Sequence, residues 1–202
     1  PKFALRATLR KKVEVQGKYK KQSGGHGQYG DVKMEFEPSG DLETPYVFEE
    51  RVFGGAVPKN YFPAVEKGIQ ECVLKGPLAG YPVVGLKATL VDGSYHPVDS
   101  SELAFKMAAT MAFKKGFMDA NPVLLEPIAS LKVTVPDKFT GDVMGDLNRR
   151  RGRVLGMNSN HHGKQTIEAD IPVSELFGYN TDLRSMTGGI GEYEYEFSRY
   201  EQ

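Results

Sequence analysis

The succession of hydrophobic periodicities after residue 127 most narrowly limits how this chain can fold. Alternating apolar residues predict strands, and apolar residues three or four positions apart predict helices. The strand patterns lie at 131–135, 154–157, 166–171 and 193–197. The two helical faces between them consist of Phe139, Val143, Met144 and Leu147, and of Val173, Leu176, Phe177 and Leu183. This β-α-β-β-α-β order predicts the split ferredoxin-like motif.

The earlier part of the chain predicts a separate mixed region. Strand patterns occupy 3–15, 32–37, 46–53 and 83–91, and helical patterns occupy 61–75 and 102–117. Asp99 with Glu102 resembles a capping box at the second helix. Its predicted core stripe is Leu103, Met107 and Met111, with Ala104, Ala108 and Ala112 beside it. Two prolines and no clear period at 119–127 predict a boundary between two domains there.

Two polar segments interrupt these patterns, KKQSGGHGQYG at 20–30 and DGSYHPVDSS at 92–101. The first contains a literal G-x-G-x-x-G, but a dinucleotide site requires a helix after it, and a strand pattern follows instead. Two other interpretations stay open, a flexible hairpin loop and a loop whose glycines let the backbone approach a ligand, with Lys18, Lys20 and Lys21 near for phosphate. A nucleotide-binding enzyme remains the alternative of a different class.

Composition excludes several other functions. Lys plus Arg and Asp plus Glu both total 26, so net charge indicates no partner, although basic residues concentrate in 2–21. The single cysteine, Cys72, cannot form an internal disulfide and is predicted to be buried in a helix. No apolar run is long enough for a membrane span. The four histidines are not spaced like zinc ligands, and neither a P-loop nor a G-x-S-x-G elbow occurs. We therefore predict no catalytic, cofactor-binding or metal-binding residue.

Four arginines, Arg149, Arg150, Arg151 and Arg153, follow a predicted helix. Cations at a helix end interact favourably with its dipole, but four exceed that need. A contact with RNA or protein and a solvated helix end therefore both stay open.

Four segments resemble the carboxy-terminal part of bacterial elongation factor G: KYKKQSGGHGQYGDV, VDGSYHPVDSSELAFKMAA, LLEP and GDLNRRRGRVLGM. The resemblance covers essentially the whole chain. It implies an α+β fold in which residues 1–120 are the fourth domain, similar to the second domain of ribosomal protein S five with a left-handed βαβ crossover. Residues 123–202 would be the ferredoxin-like fifth domain. Because the chain starts at Pro1 and enters strand-like sequence at once, we expect a fragment of a longer protein.

The resemblance also implies a site, at a tip that enters the decoding centre of the small ribosomal subunit and contacts tRNA and mRNA during translocation. The implied tip residues are Gly24, Gly25, His26, Gly27 and Gln28 in the first loop, and Ser94, Tyr95, His96, Pro97 and Val98 in the second. The implied contacts with large-subunit rRNA are Arg149, Arg150 and Arg151. We expect a cytoplasmic monomer that binds neither membrane nor DNA. GTP and Mg would belong to the parent protein's GTPase domain.

Two positions depart from the pattern of many translocases. This chain has His26 where many carry arginine and Pro97 where many carry glutamate. Both departures are closer to the elongation-factor-G-like paralogues. A recycling, ribosome-protection or regulatory role is therefore the alternative within the same family.

Overall fold

The chain forms two compact units. The computed structural model describes residues 4–23, 26–160 and 162–202. The amino-terminal unit is Leu5–Leu124, and the carboxy-terminal unit continues from Leu125 to Gln202. Each unit combines helices with one main sheet, so the predicted α+β class is confirmed. Within the described ranges, no helix is long and apolar enough to cross a membrane.

The amino-terminal unit is built on a four-stranded sheet in the order β2-β3-β5-β4. Its elements are β1 (Arg6–Thr8), β2 (Val13–Ser23), β3 (His26–Pro38), β4 (Tyr46–Glu50), α1 (Phe62–Leu74), β5 (Leu86–Ser94) and α2 (Glu102–Asp119). Strands β2, β3 and β5 are antiparallel neighbours, whereas β4 and β5 are parallel and joined through α1. The left-handedness of that crossover stays a prediction.

Strand register brings three connections to the same end of this sheet, which we call the tip end. Strand β2 enters its hairpin with β3 there, with Ser23 paired to His26. Strand β5 is antiparallel to β3 and ends there, with Ser94 opposite Asp31. Strand β4 is parallel to β5 and therefore leads into residues 51–58 at that end. The tip end thus comprises the paired strand ends at Ser23 and His26, the segment 95–101 and the segment 51–58.

Helix α2 packs closely on the β2–β3 hairpin through small residues. A Cβ added at Gly17 would overlap the carbonyl oxygen of Ala108, and one at Gly30 would overlap that of Ala104. Glycine is therefore required at both positions by the approach of two backbones. The buried face of α2 consists of Ala104, Phe105, Ala108, Ala109, Ala112, Phe113, Gly116 and Phe117.

The predicted core stripe of α2 is therefore wrong. Leu103 is 55% exposed and Met111 is 43% exposed, while Met107 is only partly buried. Longer side chains on the hairpin side would hold the helix away from Gly17 and Gly30. The alanines predicted to lie beside the stripe form the packing surface instead.

Three other local predictions also change. Ser101, not Asp99, caps α2, because its Oγ accepts from the Ala104 N–H at 3.0 Å. The predicted first strand, 3–15, is divided in the described residues into β1 and β2. Most of the predicted loop at 20–30 belongs to the two strands of the hairpin, because their pairing continues to Ser23 and His26. The strand predicted after the glycines is confirmed.

The carboxy-terminal unit confirms the ferredoxin-like prediction. Its elements are β6 (Val123–Pro136), α3 (Thr140–Arg149), β7 (Arg153–Ser159), β8 (Lys164–Pro172), α4 (Tyr179–Thr187) and β9 (Glu192–Glu201). Strand β6 pairs with β8 and β9, and β7 pairs with β8, all antiparallel. Phe177 does not join the predicted helix face and is 93% exposed. Gly178, at φ 74°, separates it from α4.

Cys72 lies buried on α1 in the amino-terminal core, as predicted. Burial raises the pKa of its thiol. A buried thiol with a raised pKa contains little thiolate at neutral pH, so Cys72 acts as a small apolar core residue.

Candidate nucleic-acid interface

The segment 95–101 folds directly onto the start of β3. The Tyr29 N–H donates to the Asp99 carbonyl at 3.0 Å, and the Ser100 Oγ donates to the Tyr29 carbonyl at 2.8 Å. A Cβ at Gly27 would overlap the carboxylate of Asp99. The structure therefore brings the second predicted loop against Gly27 and Tyr29, and glycine at position 27 makes this approach possible.

His96 organises the second loop from within. Its Nδ1 accepts from the backbone N–H groups of Val98, at 3.2 Å, and Asp99, at 3.0 Å. Its own backbone N–H donates to the Ser100 Oγ at 2.9 Å. Because Nδ1 is an acceptor, this geometry requires the neutral ring with its proton on Nε2. The Asp99 carboxylate is 3.8 Å from Nδ1, but an ion pair there would need a protonated Nδ1 and would remove both accepted bonds.

A partly buried chain of hydrogen bonds centred on Asp31 supports the two loops. The Tyr29 hydroxyl lies 2.6 Å from the Ser94 Oγ, which donates to the Asp31 Oδ2 at 2.6 Å. The Gln16 Nε2 donates to the other oxygen of Asp31 at 2.7 Å. Since a carboxylate only accepts, Ser94 donates to Asp31 and Tyr29 donates to Ser94. The chain therefore has one direction and joins β2, β3 and β5.

This supporting chain was missed by sequence reasoning. Asp31 is only 7% exposed, which is unusual for a carboxylate. Its sequence signal was a charged residue immediately before the alternating run Val32, Met34 and Phe36. Its partners come from other strands, so spacing along the chain could not identify them.

The predicted tip residues have different environments. Gly24 and Gly25 lie outside the described residues, and His26 is the first residue of β3. The Gln28 Oε1 is buried without a hydrogen-bond partner in the described part of the chain. Ser94 is bound internally. Four consecutive residues in the second loop are exposed: Tyr95, His96, Pro97 and Val98.

Lysines line the hairpin beside these loops. Lys18, Lys20 and Lys21 are exposed on β2, and Lys20 and Lys21 pair in register with Tyr29 and Gln28. The Lys18 Nζ lies 5.5 Å from the centre of the Tyr29 ring. Exposed ammonium groups next to glycines and hydroxyls can bind phosphate without reading a base sequence.

The arginine cluster has a different arrangement. The Arg150 Nε donates to Asp146 at 2.9 Å, its Nη1 donates to the Glu175 carbonyl at 2.6 Å, and its Nη2 contacts the Asp182 carboxylate. Its guanidinium also lies 5.0 Å from the centre of the Tyr179 ring. Burial alone would lower the pKa of Arg150, but Asp146 and Asp182 outweigh that effect and raise it. The Arg150 side chain is only 13% exposed, so its donors are committed within the unit.

The neighbouring arginines differ in availability. Arg151 donates to both Glu126 oxygens, at 2.8 and 3.2 Å, and to Glu175 at 3.1 Å. Arg149 reaches Asp146 at only 3.4 Å, and its side chain is 74% exposed. Of the three predicted rRNA contacts, Arg149 therefore keeps the most accessible guanidinium. Only the spacings of Asp146 to Arg149 and to Arg150 were visible in the sequence, because the other carboxylates lie on distant segments.

The two units together have the architecture of the carboxy-terminal domains of a translational GTPase. The family model "Elongation factor G, domain IV" matches residues 1–121, and "Elongation factor G C-terminus" matches residues 123–202. The chain belongs to the elongation factor G family.

A crystal structure of a protein from Thermus thermophilus is similar to the chain over 99% of its length, with 51% identity and a TM-score of 0.88. The chain spans 30% of the length of that structure.

Proposed function

We propose that this chain is the ribosome-binding part of a translational GTPase and promotes translocation of tRNA and mRNA. Its tip end enters the A site of the small subunit. Family membership supports the proposal, and the observation that carries it is the joining of the two loops through Tyr29, Asp99 and Ser100. This joining leaves Tyr95 and His96 exposed beside the lysine-lined hairpin.

The mechanism of this part is mechanical. The tip occupies the vacated A site and blocks backward movement of tRNA, while GTP hydrolysis with Mg takes place in another domain of the parent protein. Gly27 lets the second loop pack against β3, and the hydroxyl of Tyr95 and the Nε2–H of His96 donate to phosphates and 2′-hydroxyls. The hydrogen bonds that His96 Nδ1 accepts from the Asp99 N–H and that Asp31 accepts from Ser94 hold these donors in place before binding.

Contacts with large-subunit rRNA come from the arginine cluster of the carboxy-terminal unit. Arg149 supplies the direct phosphate contact, because its side chain is the most exposed of the three. Arg150 and Arg151 support the local shape through their carboxylate partners. The parent is cytoplasmic and acts as a monomer.

A role as an elongation-factor-G-like paralogue is the second candidate. Pro97 lies exposed in the second loop, at a position where many translocases carry glutamate. A neutral ring there removes a negative charge from the surface that approaches RNA. Such a tip would enter the same site and serve recycling, ribosome protection or regulation.

The test uses the full-length parent and pre-translocation ribosomes. Single-turnover movement of tRNA is followed in parallel with ribosome-stimulated GTP hydrolysis. Fast movement with hydrolysis supports a translocase, whereas hydrolysis without movement supports the paralogue. Absence of ribosome-stimulated hydrolysis together with micromolar binding of NAD, FAD or ATP at 24–30 would instead support the nucleotide-binding enzyme.

A variant pair locates the effect at the tip. Gly27→Ala combined with His96→Ala should slow tRNA movement and leave GTP hydrolysis intact. The control is Gly145→Ala, because a Cβ there meets nothing within 4 Å. Equal rates for the double variant and the control would show that the tip assignment is wrong.

A further inference from the structure

The segment 51–58 presents an isolated aromatic ring to solvent. Phe53 is 92% exposed. Gly54 and Gly55 follow it at φ 68° and 70°, where glycine is favoured, and a Cβ at either position would meet nothing within 4 Å. The Ala56 N–H returns to the Phe53 carbonyl at 3.4 Å. The ring therefore projects from a turn that its own backbone defines.

Three contacts hold this turn beside the second loop of the tip end. The Arg51 N–H donates to the Leu90 carbonyl at 2.8 Å, which extends the pairing of β4 with β5. Val57 is 1% exposed and packs on Gly93, where a Cβ would lie 2.6 Å from its Cγ2. The Tyr61 hydroxyl donates to the Ser100 carbonyl at 3.3 Å. The turn is thus anchored to the same loop that carries His96.

The chemistry of this segment favours a nucleic-acid partner. Residues 51–61 include Arg51 and Lys59 and no carboxylate. Lys59 is exposed, and the Arg51 side chain is 58% exposed although it binds Glu35 at 2.7 Å. Glu50, which precedes the segment, accepts from the Val52 N–H at 3.0 Å, so Lys59 is the cation of the segment without a salt bridge in the described residues. A highly exposed ring with such a cation on the same short segment fits a base that stacks on it while a phosphate meets the charge.

We propose that Phe53 stacks on an unpaired RNA base bound at the tip end, which makes the segment 51–58 a third RNA-contacting loop beside the two predicted loops. This inference rests on the proposed function, because it assumes that the tip end meets RNA. It goes beyond that function by naming the chemical group that Phe53 contacts, the face of a nucleobase.

The first test measures binding of the full-length parent to pre-translocation ribosomes. Phe53→Ala should raise the half-saturating factor concentration about 5-fold to 100-fold, the range expected for loss of one base–aromatic stack. Phe53→Tyr should retain most of the affinity because it keeps the ring. Two controls should stay near the unsubstituted value: Leu74→Ala, which removes a 71% exposed side chain from the end of α1, and Phe177→Ala, which removes an equally exposed ring from the other unit. Equal affinity of the Phe53→Ala and Leu74→Ala variants would overturn the inference.

The second test identifies the partner directly. Photoreactive p-benzoylphenylalanine in place of Phe53 should crosslink to RNA on the ribosome. Crosslinks only to protein, or none, would overturn the inference. If the Gly27 and His96 variant slows tRNA movement while position 53 neither affects affinity nor crosslinks to RNA, only this inference fails. If the parent moves no tRNA but position 53 crosslinks to RNA and Phe53→Ala weakens binding, only the translocation proposal fails.

Discussion

The tip end and the arginine cluster differ in how their polar groups are used. At the tip end, glycine and uncharged hydrogen bonds bring two loops together, and Tyr95 and His96 remain exposed. In the arginine cluster, Arg150 and Arg151 bind carboxylates of their own unit. The arginine-rich sequence thus formed a network of internal ion pairs, whereas the two polar loops kept accessible hydrogen-bond donors beside exposed lysines.

This contrast teaches that a charge cluster identifies a nucleic-acid surface only when its charges are unpaired in the fold. Desolvation makes an unpaired buried guanidinium costly, so Arg150 binds carboxylates from several segments. Glycine has no charged side chain and therefore no desolvation cost of this kind. Its structural role depends on which backbone segment packs against it. The following predictions test each side of the comparison.

The largest effect is expected in the arginine cluster. Arg150→Ala should reduce the free energy of unfolding of the carboxy-terminal unit by about 3–5 kcal/mol, because Asp146 would remain buried without its main partner. Arg149→Ala, one position away and exposed, should change it by less than about 0.5 kcal/mol. Urea unfolding, monitored through hydrogen exchange of the amides in this unit, measures both changes in free energy. Equal losses would mean that Arg150 is not structurally distinct from its neighbour.

The close approach at the tip hairpin should give the next effect. Gly30→Ala should destabilise the amino-terminal unit by about 1–3 kcal/mol, because its Cβ would overlap the Ala104 carbonyl and push α2 away. Gly145→Ala, at a site with open space, should be neutral or stabilising. Hydrogen exchange of α2 amides reports the displacement. Unchanged protection would contradict the close packing described here.

The hydrogen-bond chain through Asp31, Ser94 and Tyr29 should behave as one unit. Ser94→Ala should cost about 1–3 kcal/mol, since it leaves the Tyr29 hydroxyl and one Asp31 oxygen without partners. Tyr29→Phe should cost less alone. The double variant should lose less unfolding free energy than the sum of the two single losses, by at least about 0.5 kcal/mol. Additive losses in denaturant unfolding would show that the two hydroxyls are not coupled.

The smallest effect concerns an ion pair of the amino-terminal unit. Burial alone would raise the pKa of Glu35, but Lys12 and Arg51 outweigh it and lower the pKa below its ordinary value of 4.5. The stabilisation from these ion pairs is therefore fully present above that ordinary value. It is lost as the pH falls through the lower pKa that Glu35 has in the folded state. Glu35→Gln should cost less than about 1 kcal/mol at pH 7, and this deficit should shrink in acid.

The control for this ion pair is Glu14→Gln, an exposed glutamate on β2 with no salt bridge in the described residues. Its small deficit should not depend on pH in the same way. A Glu35→Gln deficit that stays constant between pH 7 and pH 3 would show that charge pairing does not explain the contribution of Glu35.

The sequence by itself determined the element order and much of the core. The β-α-β-β-α-β order is present as predicted, and Val32, Met34 and Phe36 are all fully buried. Cys72 is buried on α1, also as predicted. These features are encoded locally, because the side-chain periods of strands and helices are properties of single elements.

Only the tertiary structure decided which surfaces meet. Met111 lies outside the core, and the alanine face of α2 is buried instead. The sequence of α2 could not show this, because the close backbone contacts involve Gly17 and Gly30 on a different element. Arg150 contacts Asp182, and Asp31 accepts a hydrogen bond from Ser94. The residues of each pair are too far apart in sequence for a helix or strand period to connect them. Periodicity reports which face of an element is buried, whereas charge pairing and backbone approach depend on the distant segments that the fold places opposite that face.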